Sequence, residues 1–212
     1  MKDAAIGVRM HSGWGALLVV SGQAATLEVI VRRCIVLADP NRPGAVQPYH
    51  FAAEMELPEA TNHLANSAGV SAHLARVAIQ TVVRELLSCD YRIIGAAVLL
   101  ASGRPLPSLS KILASHPLIH TAEGEFFRSM VWRACEHLAI PVTGIRERHL
   151  DQCAQARFGN RSAQVQQRIA GLKSSLGPPW TEDQKKASLA ASLVLAAFRS
   201  STAFIQEPLP PP

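Results

Sequence analysis

The residues with the greatest chemical capacity in this sequence are the histidines and carboxylates of His116-Pro-Leu-Ile-His-Thr-Ala-Glu-Gly-Glu125. Two imidazoles and a carboxylate, His116, His120 and Glu123, are donors suited to a transition metal, although their spacing matches no standard site. Pro117 argues against a regular helix through both histidines, which separates the stretch from the two-histidine turn of metalloproteases. As ordinary structure it reads as a polar loop and first helical turn, where the helix dipole favours Glu123 and Glu125. His50 and Glu54 share a face if their segment is helical and then form a solvated ion pair. His11-Ser12-Gly13 offers a serine beside a histidine, but catalytic pairs are made in space rather than by adjacency. Gly13 and Gly15 either expose backbone N–H groups to an anion or simply form a turn. The most basic stretch carries Arg146, Arg148, Arg157, Arg161 and Arg168. It reads equally as the flank of a nucleic-acid groove or as a solvated helix face, and Glu147 and Asp151 dilute its charge.

These residues have to be positioned by a fold, and the composition bounds it. The chain has 212 residues, 48% of them hydrophobic and 17% charged, with a net charge of +5. That supplies one well-buried core and excludes global disorder. Residues 1–200 are expected to form a single α/β domain, followed by a Pro-rich flexible tail over 201–212. The apolar runs are too short or too interrupted to span a bilayer, and Met1-Lys2-Asp3 lacks the long apolar stretch expected of a signal peptide. Cys34, Cys89, Cys135 and Cys153 show no CxxC or zinc spacing, so a reduced, cytoplasmic protein is expected. Three tryptophans lie too far apart to form a base-stacking platform.

Hydrophobic periodicity orders the elements. An antiparallel meander of two or three strands occupies the first 38 residues, with a turn near His11 to Gly15, and a proline-rich loop follows over 39–48. Helical spacing runs from Pro58 to Leu87, where Gly69 is a candidate break. Ile93 to Leu100 is a continuous apolar strand of the kind buried on both faces. Thr121 caps a helix to Ala139, a short strand covers 141–145, and a mixed polar segment follows. Ser162 and Thr181 cap the last two helices.

Two stretches carry a more specific resemblance. Glu125 to Ile145 is a helix running into a strand through Leu-Ala-Ile-Pro-Val. Arg161-Ser-Ala-Gln-Val-Gln-Gln-Arg-Ile-Ala-Gly-Leu172, a Leu-Gly-Pro-Pro loop and Thr181-Glu-Asp-Gln-Lys-Lys-Ala-Ser-Leu-Ala-Ala-Ser-Leu-Val-Leu195 then follow. In order and spacing this is similar to the C-terminal half of RuvC-type Holliday-junction resolvases, and Ile6-Gly7-Val8 resembles that family's first strand. The resemblance implies a ribonuclease H-like α/β fold, a mixed β-sheet with an antiparallel N-terminal meander flanked by helices. It also implies carboxylates converging on divalent metals. Here the first-strand acid is replaced by Arg9, and the strand at 93–101 contains no acid. On the last helix Asp183 fits the first acidic position, while Lys186 occupies the second. Arg9 and Lys186 would then either satisfy Asp183 in an ion pair or present positive charge to a phosphate.

The expectation is a RuvC-like protein with a degenerate site at Arg9, Asp183 and Lys186, no catalytic residues and no cofactor, acting as an interaction or scaffold protein. His11, Ser12, Gly13 and Arg161 are its candidate anion or ligand contacts. The alternatives are a nucleic-acid binder that does not cleave, and an enzyme whose metal site has moved to the His/Glu cluster. The partner is left open between nucleic acid, another protein and a second copy docked through the alanine-rich Ala187 to Ala197, with no membrane.

Overall fold

The computed structural model describes residues 1–101 and 105–200. The expected tail over 201–212 lies outside them, as does part of the break after residue 101. β1 (Lys2–Met10), β2 (Trp14–Ser21) and β3 (Glu28–Val36) form the antiparallel meander. They are followed by α1 (Pro48–Ala52), α2 (Leu57–Ser88), β4 (Tyr91–Leu100), α3 (Leu109–Leu113), α4 (His116–His137) and β5 (Val142–Arg146). The chain ends in α5 (Leu150–Phe158), α6 (Ser162–Gly171), α7 (Lys173–Leu176) and α8 (Glu182–Arg199). The five strands lie in the order β3-β2-β1-β4-β5, with β4 parallel to both β1 and β5.

Strand alternation divides β1 between two cores. Ala4, Ile6, Val8 and Met10 face α2 and α4, where Ile79, Val82, Phe127 and Val131 are fully buried. Ala5, with Leu18, Val20, Ala97 and Leu99, faces α8 and its neighbours. Gly7 lies between Ala5 and Arg9 on this second face. A Cβ there would overlap the carbonyl oxygen of Ala187, so this glycine is what lets α8 lie directly on the sheet. Ala187, Ala190, Ala191 and Leu193 are fully buried against it, and a buried leucine contributes about 1.5–3 kcal/mol. The alanine-rich stretch expected to offer a dimer face is therefore spent on the protein's own core.

Several boundaries differ from the sequence expectation for local reasons. Gly69 leaves α2 unbroken because it sits on the exposed side with open space around it. α4 begins at His116 rather than near Thr121. Pro117 falls in its first turn, where the missing N–H costs nothing, so it starts the helix instead of preventing it. The Thr121 hydroxyl donates to the Pro117 carbonyl one turn back rather than capping. The polar segment after β5 contains α5, a helix too short and too mixed in pattern to read from periodicity. Thr181 does cap α8, through a reciprocal box with Gln184.

Candidate functional site

Two clusters of polar side chains stand out, one on each side of the sheet. The first gathers at the C-terminal ends of the parallel strands. Arg9, next to last in β1, extends toward α8. Its Nε and Nη2 donate to Glu147 Oε2 and Oε1, both at 2.9 Å, and its Nη1 donates to Asp183 Oδ1. Lys186 Nζ donates to Glu147 Oε1 at 2.7 Å. His11 Nε2 lies 3.0 Å from Asp183 Oδ2 and 2.9 Å from Arg9 Nη1, and its ring stacks on Trp14 with centroids 4.4 Å apart. Burial alone would raise the Glu147 carboxyl, but the hydrogen bonds from Arg9 and Lys186 outweigh it and hold the group at about 2. The bidentate bond to Glu147 correspondingly raises the Arg9 guanidinium. Each carboxylate of the cluster is thus already committed to a cation of the same chain.

A second layer lies behind this one. Arg128 of α4 is mostly buried and donates through Nε to the Leu99 carbonyl at 3.0 Å, with Glu125 Oε1 at 3.8 Å from its Nη1. Burial lowers Arg128 from the usual guanidinium range and raises Glu125 from the usual carboxylate range. Neither Glu125 oxygen has a hydrogen-bond partner among the described residues. Glu123 and Glu125, expected on a polar loop and first turn, are buried in the third turn of α4. An i,i+3 acid–base pair inside the Phe126, Phe127, Met130 stripe was the available signal for it.

The other cluster joins α1 to the start of α4. Tyr49 is packed edge-on against Phe126 and anchors α1, and Ala52 is fully buried. This brings His50 over His116 and His120. Ring centroids are 5.6 Å apart for His50 and His116, 4.7 Å for His50 and His120, and 4.4 Å for His116 and His120. His50 pairs with Glu123, not with Glu54 as expected from sequence: Nδ1 is 3.3 Å from Glu123 Oε2. The same oxygen accepts the Tyr49 N–H at 3.0 Å, so a carboxylate from α4 serves the open first turn of α1. Burial pushes the Glu123 carboxyl up to about 7.

The architecture can be compared with solved structures. RuvC of Thermus thermophilus matches with a TM-score of 0.55 at 13% sequence identity, over 94% of this chain and 98% of that one. The same protein in complex with a Holliday junction substrate matches with a TM-score of 0.54 at 14% identity, over 94% and 97%. The fold is that of RuvC. No protein-family description matches the sequence, and no curated protein does.

Within this RuvC-like fold, Arg9, Asp183, Lys186 and His11 come together, as does Glu147, which the sequence reading took only as a dilution of basic charge. Its place directly after β5, at the C-terminal end of a parallel strand, is the signal that marks it. Lys186 bonds Glu147, whereas Asp183 is held by Arg9 and His11. Ser12 and Gly13 form the turn after β1, where the Gly13 carbonyl accepts the Leu37 N–H. Arg161 is exposed on a short 3-10 turn before α6. Of the basic stretch, Arg157 and Arg168 donate to the carbonyls of Ala196 and Leu27. No helix among the described residues is long and apolar enough to cross a membrane.

Proposed function

We propose that this protein is a RuvC-fold binding protein that does not cleave phosphodiesters, with another protein as its partner. The observation that carries this reading is the Arg9 guanidinium set between Glu147 and Asp183. A divalent ion at this place needs carboxylate oxygens free to coordinate it. Here those oxygens accept from Arg9 and Lys186, and a metal would meet two fixed positive charges at close range. The residues present do not fit the metals that this fold implies, and no hydrolytic step is derived through them.

The choice of a protein partner rests on where the positive charge goes. Arg32, Arg128, Arg157, Arg168 and Arg199 each donate to backbone carbonyls and tie loops and helix ends of the chain together. Five of the 21 lysines and arginines are thus held in place by the chain's own backbone rather than left free to follow a phosphate backbone. Large apolar side chains are exposed instead around the β1–β2 turn and the loop before α1, namely Trp14, Val36, Val46 and Phe51.

The test pairs a cleavage assay on a four-way DNA junction in Mg²⁺ and in Mn²⁺ with a binding assay at two salt concentrations. Neither cleavage nor binding is expected. Cleavage that needs the metal and is lost in Asp183→Asn would overturn the reading. Binding without cleavage that weakens steeply with salt would replace the protein partner with nucleic acid, because phosphate contacts release counterions.

A further inference from the structure

The histidine cluster has a different capacity from the cleft of the RuvC fold, and it is independent of the reading above. We propose that His50, His116 and His120 bind one divalent transition-metal ion, with zinc as the reference case and Glu123 as the residue that positions His50.

Among the described residues, this is the group of three or more His, Cys, Asp or Glu side chains whose donor atoms converge, all lying within 4.8 Å of one another. Asp183, Glu147 and His11 do not converge in this way. Tetrahedral zinc with Zn–N bonds of about 2.0–2.1 Å needs donors about 3.3 Å apart. The widest donor separation therefore exceeds that spacing by about 1.5 Å, a gap that the exposed His116 and His120 side chains close by rotating. The two stand at i and i+4 on α4, so the helix presents both imidazoles on one face. The ring planes meet at 82°, 66° and 88°, edge to face rather than stacked.

The surroundings supply what a bound imidazole requires. Glu123 Oε2 lies 3.3 Å from His50 Nδ1 and favours the tautomer that donates from Nδ1, in which the Nε2 lone pair is available to a metal. A carboxylate behind a ligating histidine is the usual way its tautomer and ring orientation are fixed. Glu123 is itself held by the Tyr49 N–H, and its second oxygen is buried without a partner. The carboxylate that pairs with one of the rings, Glu123, meets His50 at Nδ1, on the side away from its Nε2, whereas Asp183 meets His11 at Nε2 itself.

Three neutral nitrogen donors select zinc, cobalt, nickel or copper over magnesium and calcium, which prefer oxygen. With three protein ligands the fourth tetrahedral position is left to solvent or to a small ligand. His50 also lines a cleft of about 620 Å³ with Arg42, Phe51 and Glu54, on its side toward the loop before α1.

The experiment uses the untagged full chain, stripped of metal by dialysis against a chelator. It is titrated with Zn²⁺ by calorimetry and with Co²⁺ by visible absorption, with Mg²⁺ as a further titrant. One ion per chain is expected, with the intense bands of tetrahedral Co²⁺ and no binding of Mg²⁺. His116→Ala and His120→Ala, both at exposed positions, should each weaken binding more than about 100-fold, beyond the 10–100-fold typical of an outer partner. His73→Ala, on the exposed side of α2, should leave it unchanged. Glu123→Gln should keep the stoichiometry and weaken binding about 10–100-fold. No binding by the unaltered chain, or an affinity unmoved by His120→Ala, would overturn the site. An affinity unmoved by Glu123→Gln would overturn the positioning role.

Discussion

The two polar clusters lie on opposite faces of one sheet and are built on opposite principles. On the α8 face, Arg9 and Lys186 are matched against Glu147 and Asp183, and every charge has its partner inside the chain. On the α4 face three imidazoles converge with no acid among them, and the one nearby carboxylate stands behind His50 rather than between the rings. The first cluster sits at the C-terminal ends of the parallel strands, yet its donors are committed. The second occupies a place that the fold does not mark, and its lone pairs are unspent. The capacity to take a ligand follows from uncommitted donors, not from position in a fold.

The strongest way to break this contrast is to return acids to the α8 face. In the double variant Arg9→Asp, Lys186→Asp, four carboxylates would crowd the ends of β1, β5 and α8 with only His11 and the more distant Arg128 to offset them. Without Mn²⁺, stability should fall by about 3 kcal/mol, the low end for a buried pair that loses its partner, because these side chains are 21–39% exposed and partly screened. Millimolar Mn²⁺ should restore part of the loss by binding only the folded chain. Thermal unfolding with and without Mn²⁺ measures both effects. An unchanged melting temperature would show that the cluster's charges do not contribute to the fold.

A smaller change sharpens the contrast. Glu147→Gln keeps the shape of the side chain but removes the charge that serves Arg9 and Lys186 together. Glu147 is about a quarter exposed, with 28% of its side-chain surface accessible. The expected loss is therefore discounted for solvent screening, to about 1–3 kcal/mol by chemical denaturation. Co²⁺ binding at the histidine cluster should be unaffected, since the two clusters share no residue. A parallel loss of Co²⁺ affinity would mean that the two faces are coupled.

How far these clusters could be read beforehand differs between them. The antiparallel meander, the mixed sheet and the covering helices were legible from hydrophobic periodicity and element order, whereas the alanines of α8 read as a face for a second copy and are buried on the sheet, where Gly7 admits them. Arg9, Asp183 and Lys186 were legible through the resemblance, since each falls on a position where an acid was expected. Glu147 was hidden by its neighbours: among Arg146, Arg148 and Arg157 it reads as a local counter-charge, and only the end of β5 reveals that it points into the cleft. For the histidine cluster, the sequence placed His116 and His120 close together but misjudged Pro117, whose meaning depends on whether it lies in the first turn of a helix or in its interior. His50 was beyond reach, because its approach to α4 depends on the packing of Tyr49 against Phe126, a contact made across the whole of α2 and β4.

The smallest of the expected effects isolates charge from packing in the α8 cluster. Glu147 has a folded pKa of about 2 against an ordinary value of 4.5. In the window between those values the unfolded chain takes up the proton while the folded chain does not, so acidification favours unfolding. The stabilisation that Glu147 gives is complete above about pH 4.5 and is lost as pH falls toward 2. Other carboxylates titrate in the same range, so the useful quantity is the stability difference between the unaltered chain and Glu147→Gln. That difference should hold steady from neutral pH down to the top of the window and then close within it, as followed by denaturation at each pH. If the difference were close to zero at every pH, Glu147 would be acting through the volume and hydrogen bonds that glutamine retains. The α8 face would then be a packed polar contact rather than a charge lock, and its contrast with the histidine cluster would rest on position alone.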